Sequence, residues 1–219
     1  VHTDDDAGCG AQRREVFVYD GHVRQGVGDG PQQVTVSGFR VAGRGAVRAG
    51  VTAYEGDNGQ VGDRLRVNGT PLGDPATGEV ENFFASTAQG RADPGYPNNF
   101  SVDAKRVEVP DGVILPGATE AELEVSTGAR SGADAFLLQG LTLSVPVPSL
   151  CLTTSVSPRT ARVGDTVEWA LDVRNPTGID ATDVRVTAPA LPDCEKPAFD
   201  LAAGDSTRLT CTSVATEDL

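Results

Sequence analysis

The sequence predicts an all-β protein built from two β-sandwiches. Short hydrophobic runs that alternate with a period of two recur along the whole chain, separated by clusters of Gly, Pro, Asp and Asn. The 219 residues include 26 Gly and 14 Pro, which leaves few stretches that could form a long helix. A chain of this length forms one or two domains.

Seven strands are predicted in the first 147 residues. They are Glu15–Tyr19, Gln33–Phe39, Ala46–Tyr54, Asp63–Val67, Phe100–Val109, Glu120–Ser126 and Ala135–Val147. The segments between them are rich in Gly, which permits positive φ, and in Pro, which fixes φ, so they are predicted to be turns. One segment, Val80–Ala88, is predicted to hold a helical turn. We expect this first domain to be a jelly-roll-like sandwich.

A domain boundary is predicted at Val145–Ser149, where two prolines interrupt the pattern and form a short, semi-rigid linker. The domains are therefore predicted to be residues 1–147 and 148–219. The second is expected to contain the strands Leu150–Val156, Thr166–Arg174, Thr182–Ala188 and Ser206–Val214. Val167, Trp169, Leu171 and Val173 alternate along the second of these strands, so Trp169 is predicted to be a core residue.

The segment SVSPRTARVGDTVEWALDVRNPTGIDATDVRVTAP resembles the conserved-repeat immunoglobulin-like module, of unknown function, that occurs in tandem in bacterial cell-surface proteins. The similarity covers Val156 to Ala188, and the later pattern of Cys194 and Cys211 resembles the cysteine-bearing variety of that module. The resemblance implies an immunoglobulin-like sandwich and neighbouring repeats in the parent chain. The family continues into one more strand, so this copy is expected either to lack its last strand or to close differently.

The earlier segments VFVYDG, VTVSGF, VTAYEGDNGQVGDRLRVNGTPL and ENFFAST resemble a β-sandwich domain that precedes those repeats in large secreted actinobacterial proteins. In that family a preceding segment supplies further strands, and no activity is established. The resemblance implies an exported protein, extracellular or associated with the cell wall. The absence of methionine likewise leads us to expect a piece of a longer chain.

The four cysteines are Cys9, Cys151, Cys194 and Cys211. Cys194 precedes a turn-rich segment and Cys211 lies in an alternating run, so we expect them on neighbouring strands, joined by a disulfide. Cys9–Cys151 follows by elimination. The alternative is that these two are free or pair outside the fragment. Disulfides are typical of exported proteins.

Charge and composition exclude several functions. The net charge of −13 disfavours nucleic acids and anionic membrane surfaces as partners, and no apolar run is long enough to span a bilayer. His2 and His22 are the only histidines, and neither lies at a predicted strand end, which argues against triad catalysis and against a Cys/His zinc site. Lys105 and Lys196 are the only lysines, which argues against pilin-type Lys–Asn isopeptide bonds. We therefore expect no enzyme and no cofactor, calcium excepted.

The segment YEGDNGQVGD carries the best candidates for metal ligands, which are Glu55, Asp57, Asn58 and Asp63. Their oxygen atoms are of the kind that calcium prefers, and the interspersed glycines permit a tight reversal. The spacing is not that of an EF-hand. The alternative is an acidic hairpin loop whose aspartates cap turns.

Two functions are compatible with these features. The first is a non-catalytic structural or adhesion module with an extracellular protein or glycan as its partner. The second is a carbohydrate-binding module, calcium-dependent or not, of a larger secreted protein. A sugar platform would need exposed aromatic side chains, and the candidates are Tyr54, Phe83, Phe84, Tyr96 and Phe100. Three of them coplanar on one exposed face would favour sugar binding, whereas burial would favour the structural module.

Overall fold

The computed structural model describes residues 12–88, 100–129, 132–189 and 191–216. The chain divides into two units. The N-terminal unit comprises Arg14–Val41 and Gly45–Val147, and the C-terminal unit comprises Pro148–Leu219 together with Val1–Arg13 and Ala42–Arg44. Within the described residues, no helix is long and apolar enough to cross a membrane.

The N-terminal unit is a jelly roll. Its strands are β1 (Arg14–Gln25), β2 (Gln32–Ser37), β3 (Arg48–Tyr54), β4 (Arg64–Val67), β5 (Thr70–Leu72), β6 (Val102–Glu108), β7 (Glu120–Ser126) and β8 (Phe136–Pro146). They form two four-stranded sheets with the orders β1-β8-β3-β6 and β2-β7-β4-β5. All the pairings are antiparallel. This order is that of an eight-stranded jelly roll, so the predicted fold class is confirmed.

The core of this unit follows from the alternation of its strands. On β7, Ala121, Leu123 and Val125 are buried while the glutamates between them face outward. The largest fully buried side chains are Phe83, Phe84 and Phe136. The ring of Phe84 stacks on Phe136 with 4.1 Å between centroids and meets Phe83 edge-on at 5.3 Å. Three phenylalanines thus pack at one place in the core.

Two local features of the N-terminal unit differ from the prediction. Val80–Ala88 forms no helical turn, because Phe83 and Phe84 both enter the core and bridges hold Asn82 beside Asp63 and Ala88 beside Ala104. Strand β5 was not predicted, since it has only three residues and contains a proline. It pairs with β4 through an Asn-Gly turn in which both residues have positive φ, a strong hairpin signal.

The C-terminal unit is a smaller sandwich. Its strands are β9 (Cys151–Ser157), β10 (Thr166–Arg174), β11 (Ala181–Val186), β12 (Lys196–Leu201) and β13 (Ser206–Val214), with a 3-10 turn at Pro192–Cys194. The sheets are β13-β10-β9 and β11-β12. Strand β12 was not predicted, because it lies within the turn-rich link after Cys194 and begins with Lys-Pro. Trp169 is half-buried against this core, and its Nε1 donates a hydrogen bond to Ser213 Oγ at 2.9 Å.

The predicted Cys194–Cys211 disulfide is present, with 5.0 Å between the Cα atoms. It joins the 3-10 turn to β13, and both residues are buried. Cys151 is also disulfide-bonded. Cys9, its expected partner, lies outside the described residues.

Replacing both Cys194 and Cys211 with alanine is expected to lower the free energy of unfolding of the C-terminal unit by about 3 kcal/mol. Without the disulfide, the unfolded chain regains the conformational entropy of the loop that the bond closes. Denaturant unfolding followed by fluorescence reports on this unit alone, since Trp169 is the only tryptophan of the chain. The wild type under reducing conditions should lose at least as much, because the disulfide of Cys151 is broken there as well. An unchanged midpoint in both would contradict the expectation.

Candidate functional site

Five charged side chains lie in the interior of the N-terminal unit, and we call them the buried charge cluster. They are Asp63, Asp74, Asp103, Lys105 and Asp134, each at most 5% exposed. Fully buried charged residues are rare unless they are paired. The cluster is therefore the most distinctive chemical feature of the described residues.

Lys105 is the only cation of the cluster. It lies on β6, where Asp103 and Lys105 occupy alternate positions and both face inward. Its Nζ donates hydrogen bonds to the backbone oxygen of Phe83 and to Asp74 Oδ2, and it contacts Asp103 Oδ1 at 2.9 Å. The same Nζ lies 4.9 Å from the centroid of the Phe83 ring, a cation–π contact. Two carboxylates and an aromatic ring thus enclose one ammonium group.

Asp74 follows β5 and is saturated with hydrogen-bond donors. Its Oδ1 accepts the backbone N–H groups of Ala76 and Thr77, each at 2.8 Å. Its Oδ2 accepts the Thr87 hydroxyl at 2.6 Å and the ammonium of Lys105. Burial alone raises the pKa of Asp74, but the hydrogen bonds from Lys105 and Thr87 outweigh it and hold the pKa below its usual value. Asp74 is therefore the ionised partner of Lys105.

Asp103 differs from Asp74 because one of its oxygens lacks a partner. Its Oδ1 accepts the backbone N–H of Thr87 at 2.9 Å, whereas its buried Oδ2 has no hydrogen-bond partner. Burial raises the pKa of Asp103, and the charge of Lys105 and the bond from Thr87 offset only part of this effect. Asp103 is thus the carboxyl group beside Lys105 that retains its proton more readily.

Gly56 packs directly against the side chain of Asp103. A Cβ at position 56 would lie 2.0 Å from Asp103 Oδ2 and 2.4 Å from the backbone oxygen of Phe84. Neither atom belongs to a flexible surface side chain. Glycine is therefore required at this position by the close approach of the loop to the cluster.

Replacing Gly56 with alanine is expected to destabilise the N-terminal unit by about 1–3 kcal/mol, because the added methyl group overpacks the cluster. The measurement is thermal unfolding followed by near-ultraviolet circular dichroism of the tyrosines. This signal reports on the N-terminal unit, because all three tyrosines precede residue 97 in the sequence. Gly30→Ala is the matched control, since nothing lies within 4 Å of a Cβ there. Equal melting of the two variants would contradict the proposed packing.

Asp63 and Asp134 form the second half of the cluster. Asp63 Oδ1 accepts the backbone N–H of Phe84 at 2.7 Å, and its Oδ2 has no hydrogen-bond partner. Burial, with the nearby charge of Asp134, raises the pKa of Asp63 to about 7. Asp134 Oδ2 accepts the N–H of Asp57 at 3.0 Å. Burial raises the pKa of Asp134 to about 6, and the charges of Asp57 and Asp103 add to the effect.

The four residues predicted to bind calcium do not converge. Glu55 and Asn58 are exposed, Asp57 accepts a hydrogen bond from Gln60 Nε2 at 2.6 Å, and Asp63 faces the core. In the part of the chain that the structure describes, no group of three or more His, Cys, Asp or Glu side chains is placed to hold a metal ion. These residues are close in the sequence, but some of their side chains face solvent and that of Asp63 faces the core.

The predicted aromatic platform is divided in the same way. Phe83 and Phe84 are fully buried, whereas Tyr54 and Phe100 are 44% and 81% exposed. Tyr96 lies outside the described residues. The four aromatic residues whose positions are described therefore do not form one surface.

A shallow groove of about 540 Å³ lies on the outer face of the β1-β8-β3-β6 sheet. It exists because Gly50 and Gly140 carry no side chains there, and Val18, Thr52 and Thr142 form part of its wall. A Cβ at position 50 would lie 2.4 Å from Thr142 Oγ1. Asp20 and Arg106 also line it, so the groove offers charged groups as well as hydroxyl groups and small apolar surfaces.

Comparison with known proteins gives no assignment. No family model matches the chain, and no curated protein matches it. Among solved structures, it is similar to a DUF4785 family protein from Legionella pneumophila, with 10% sequence identity and a TM-score of 0.19. That match covers 95% of this chain and 56% of the other, so the chain spans little more than half its length.

Proposed function

We propose that this chain is a structural module of an exported cell-surface protein and that it acts on no substrate. The observation that carries the proposal is the burial of its chemically distinctive residues. Lys105, Asp74 and Asp103 bind one another, and Phe83 covers them. Their hydrogen bonds hold the loop after β5 and the segment around Phe83 against β6, which is a stabilising role.

Two features support export. The Cys194–Cys211 disulfide is of the kind that persists in oxidising compartments. The resemblance of residues 156–188 to a repeat of bacterial surface proteins points in the same direction. We test location with intact cells of the source organism that express a tagged parent chain. Added protease should remove the tag from intact cells, and a tag that is lost only after lysis would contradict export.

Sugar binding is the second candidate, and the observation that favours it is the exposure of Tyr54 and Phe100. A glycan array incubated with the purified chain separates the two proposals. The structural module is expected to give no specific signal, with or without added calcium. Binding that is lost in a Tyr54→Ala/Phe100→Ala variant, but kept in a Val61→Ala variant altered at another exposed residue, would establish the carbohydrate-binding module instead.

A further inference from the structure

We propose that Lys105 and Asp74 form an intramolecular isopeptide bond, with Asp103 as the group that carries protons during its formation. Scarcity of lysine argued against such bonds, yet one of the two lysines of this chain lies where the reaction would need it. The side chains of Lys105 and Asp74 are in direct contact, and both are entirely excluded from solvent. The reaction uses only side chains of this chain and needs no bound ligand.

The first requirement of the reaction is proximity of the amine to the carboxyl carbon. Lys105 Nζ donates to Asp74 Oδ2, the oxygen bonded to that carbon. Well-oriented reacting groups within one molecule behave as though present at effective molarities of about 10⁵–10⁸ M. Such an arrangement, closed to water, can favour an amide that would not form between the separate groups in solution.

The second requirement is stabilisation of the oxyanion that develops on the carboxyl group. Asp74 Oδ1 accepts two backbone N–H groups, from Ala76 and Thr77, each at 2.8 Å. Paired backbone donors of this kind stabilise tetrahedral intermediates in acyl transfer. The other oxygen, Oδ2, accepts the Thr87 hydroxyl and is the one that departs. The surroundings of Asp74 thus distinguish the oxygen that stays from the oxygen that leaves.

The third requirement is a group that moves protons in a dry site. Asp103 Oδ1 lies 2.9 Å from Lys105 Nζ, and the buried Oδ2 of Asp103 has no hydrogen-bond partner. A buried carboxyl oxygen without a donor is costly as part of an anion and is satisfied more easily when it carries a proton. A protonated Asp103 can accept a proton on one oxygen while it donates one from the other.

The reaction then balances without an added reagent. Lys105 transfers one ammonium proton to Asp74 Oδ2, and the neutral amine attacks Cγ of the neutral Asp74 carboxyl group. Nitrogen next gives a second proton to Asp103, and Asp103 gives its own proton to the departing Oδ2. The Cγ–Oδ2 bond breaks, an amide N–C bond forms, and one water molecule is released. Asp103 ends the reaction protonated, as it began, and nothing is oxidised or reduced.

The intact mass of the purified, reduced and denatured chain tests the proposal. We expect a mass lower than that of the sequence by one water molecule. Trypsin cuts after Arg66, Arg91 and Arg106, so fragments 67–91 and 92–106 should be recovered as one branched peptide. A mass equal to that of the sequence would overturn the proposal. So would a water loss confined to fragment 92–106, since that would place the bond between Lys105 and Asp103.

Variants test the assigned roles. Asp74→Asn should give a product of the same mass as the cross-linked wild type, because loss of ammonia from asparagine leaves the same amide. Asp103→Asn should slow the reaction at least tenfold, seen as a larger uncross-linked fraction soon after expression. Lys196→Arg is the control and should keep the mass deficit, whereas Lys105→Arg should abolish it. A full mass deficit in Lys105→Arg would overturn the proposal even if the wild type showed one.

Discussion

Replacing Lys105 with methionine is expected to lower the free energy of unfolding of the N-terminal unit by about 3–5 kcal/mol, the usual loss when one partner of a buried ion pair is removed. Asp74 and Asp103 would then remain in the core without a counter-ion, and methionine has too similar a length to leave a large cavity. Denaturant unfolding followed by the near-ultraviolet signal of the tyrosines measures the loss. An isopeptide bond, if broken by the same substitution, would add to it.

Lys196→Met is the matched control, because Lys196 is the other lysine of the chain and lies on β12 of the C-terminal unit. We expect a change within about 0.5 kcal/mol, as for most surface substitutions. Adding Asp74→Asn and Asp103→Asn to Lys105→Met should recover part of the lost stability, since neutral amides need no counter-ion. If Lys105→Met unfolds at the wild-type midpoint, the cluster does not contribute to stability as described.

Much of the fold could be predicted from the sequence, because its strands are half-buried and alternate strictly. Glu120–Ser126 and Thr166–Arg174 were predicted with the bounds that the structure shows. The elements that were missed lack this signal. Strand β5 has three residues with a proline in the middle, and β12 begins with Lys-Pro in a stretch that is otherwise typical of turns. In both cases tertiary pairing overrides weak local preference.

The buried charge cluster was not predicted, although one signal for it was present. In the run VDAKRVEV, Asp103 and Lys105 share a face of the strand, and period two places that face toward the core. Charged residues at inward positions of a strand indicate a buried pair. What the sequence could not reveal is that Asp74 and Asp134, from distant loops, complete the cluster, since such meetings depend on loop paths rather than on periodicity.

The four acidic and amide side chains of the loop YEGDNGQVGD were predicted to converge on calcium, and the path of the loop explains why they do not. Acids that are close in sequence share a site only if the backbone turns them to one side. Here Gly56 approaches the core so closely that the chain leaves Glu55 outside, while Asp63 turns inward at the start of β4. Glycines in such a loop are typical of a metal-binding loop, but here Gly56 allows the backbone to pack directly against Asp103.

Lowering the pH from about 8 to about 5 is expected to stabilise the N-terminal unit, contrary to the usual behaviour of acidic groups. The pKa of Asp63 is about 7 in the folded state, against an ordinary value of 3.8. The folded state therefore binds more protons than the unfolded state between these values, and stability falls as the pH rises through that window. A difference of about three pKa units corresponds to about 4 kcal/mol. Asp134, with a pKa of about 6, acts in the same direction.

Asp63→Asn isolates this effect, because asparagine mimics the protonated acid and does not titrate. We expect the variant to be more stable than the wild type by about 4 kcal/mol at about pH 8 and by about 2 kcal/mol at about pH 5, and the difference to vanish only below the ordinary pKa of 3.8. Asp111→Asn, at an exposed position of the same unit, serves as the control and should leave the pH profile unaltered. Asp74 acts in the opposite direction, since its lowered pKa costs stability only at more acidic pH. A wild-type unit that grows steadily more stable from about pH 5 to about pH 8 would show that Asp63 is ionised in the fold, and would contradict its burial among Phe84, Asp134 and Lys105.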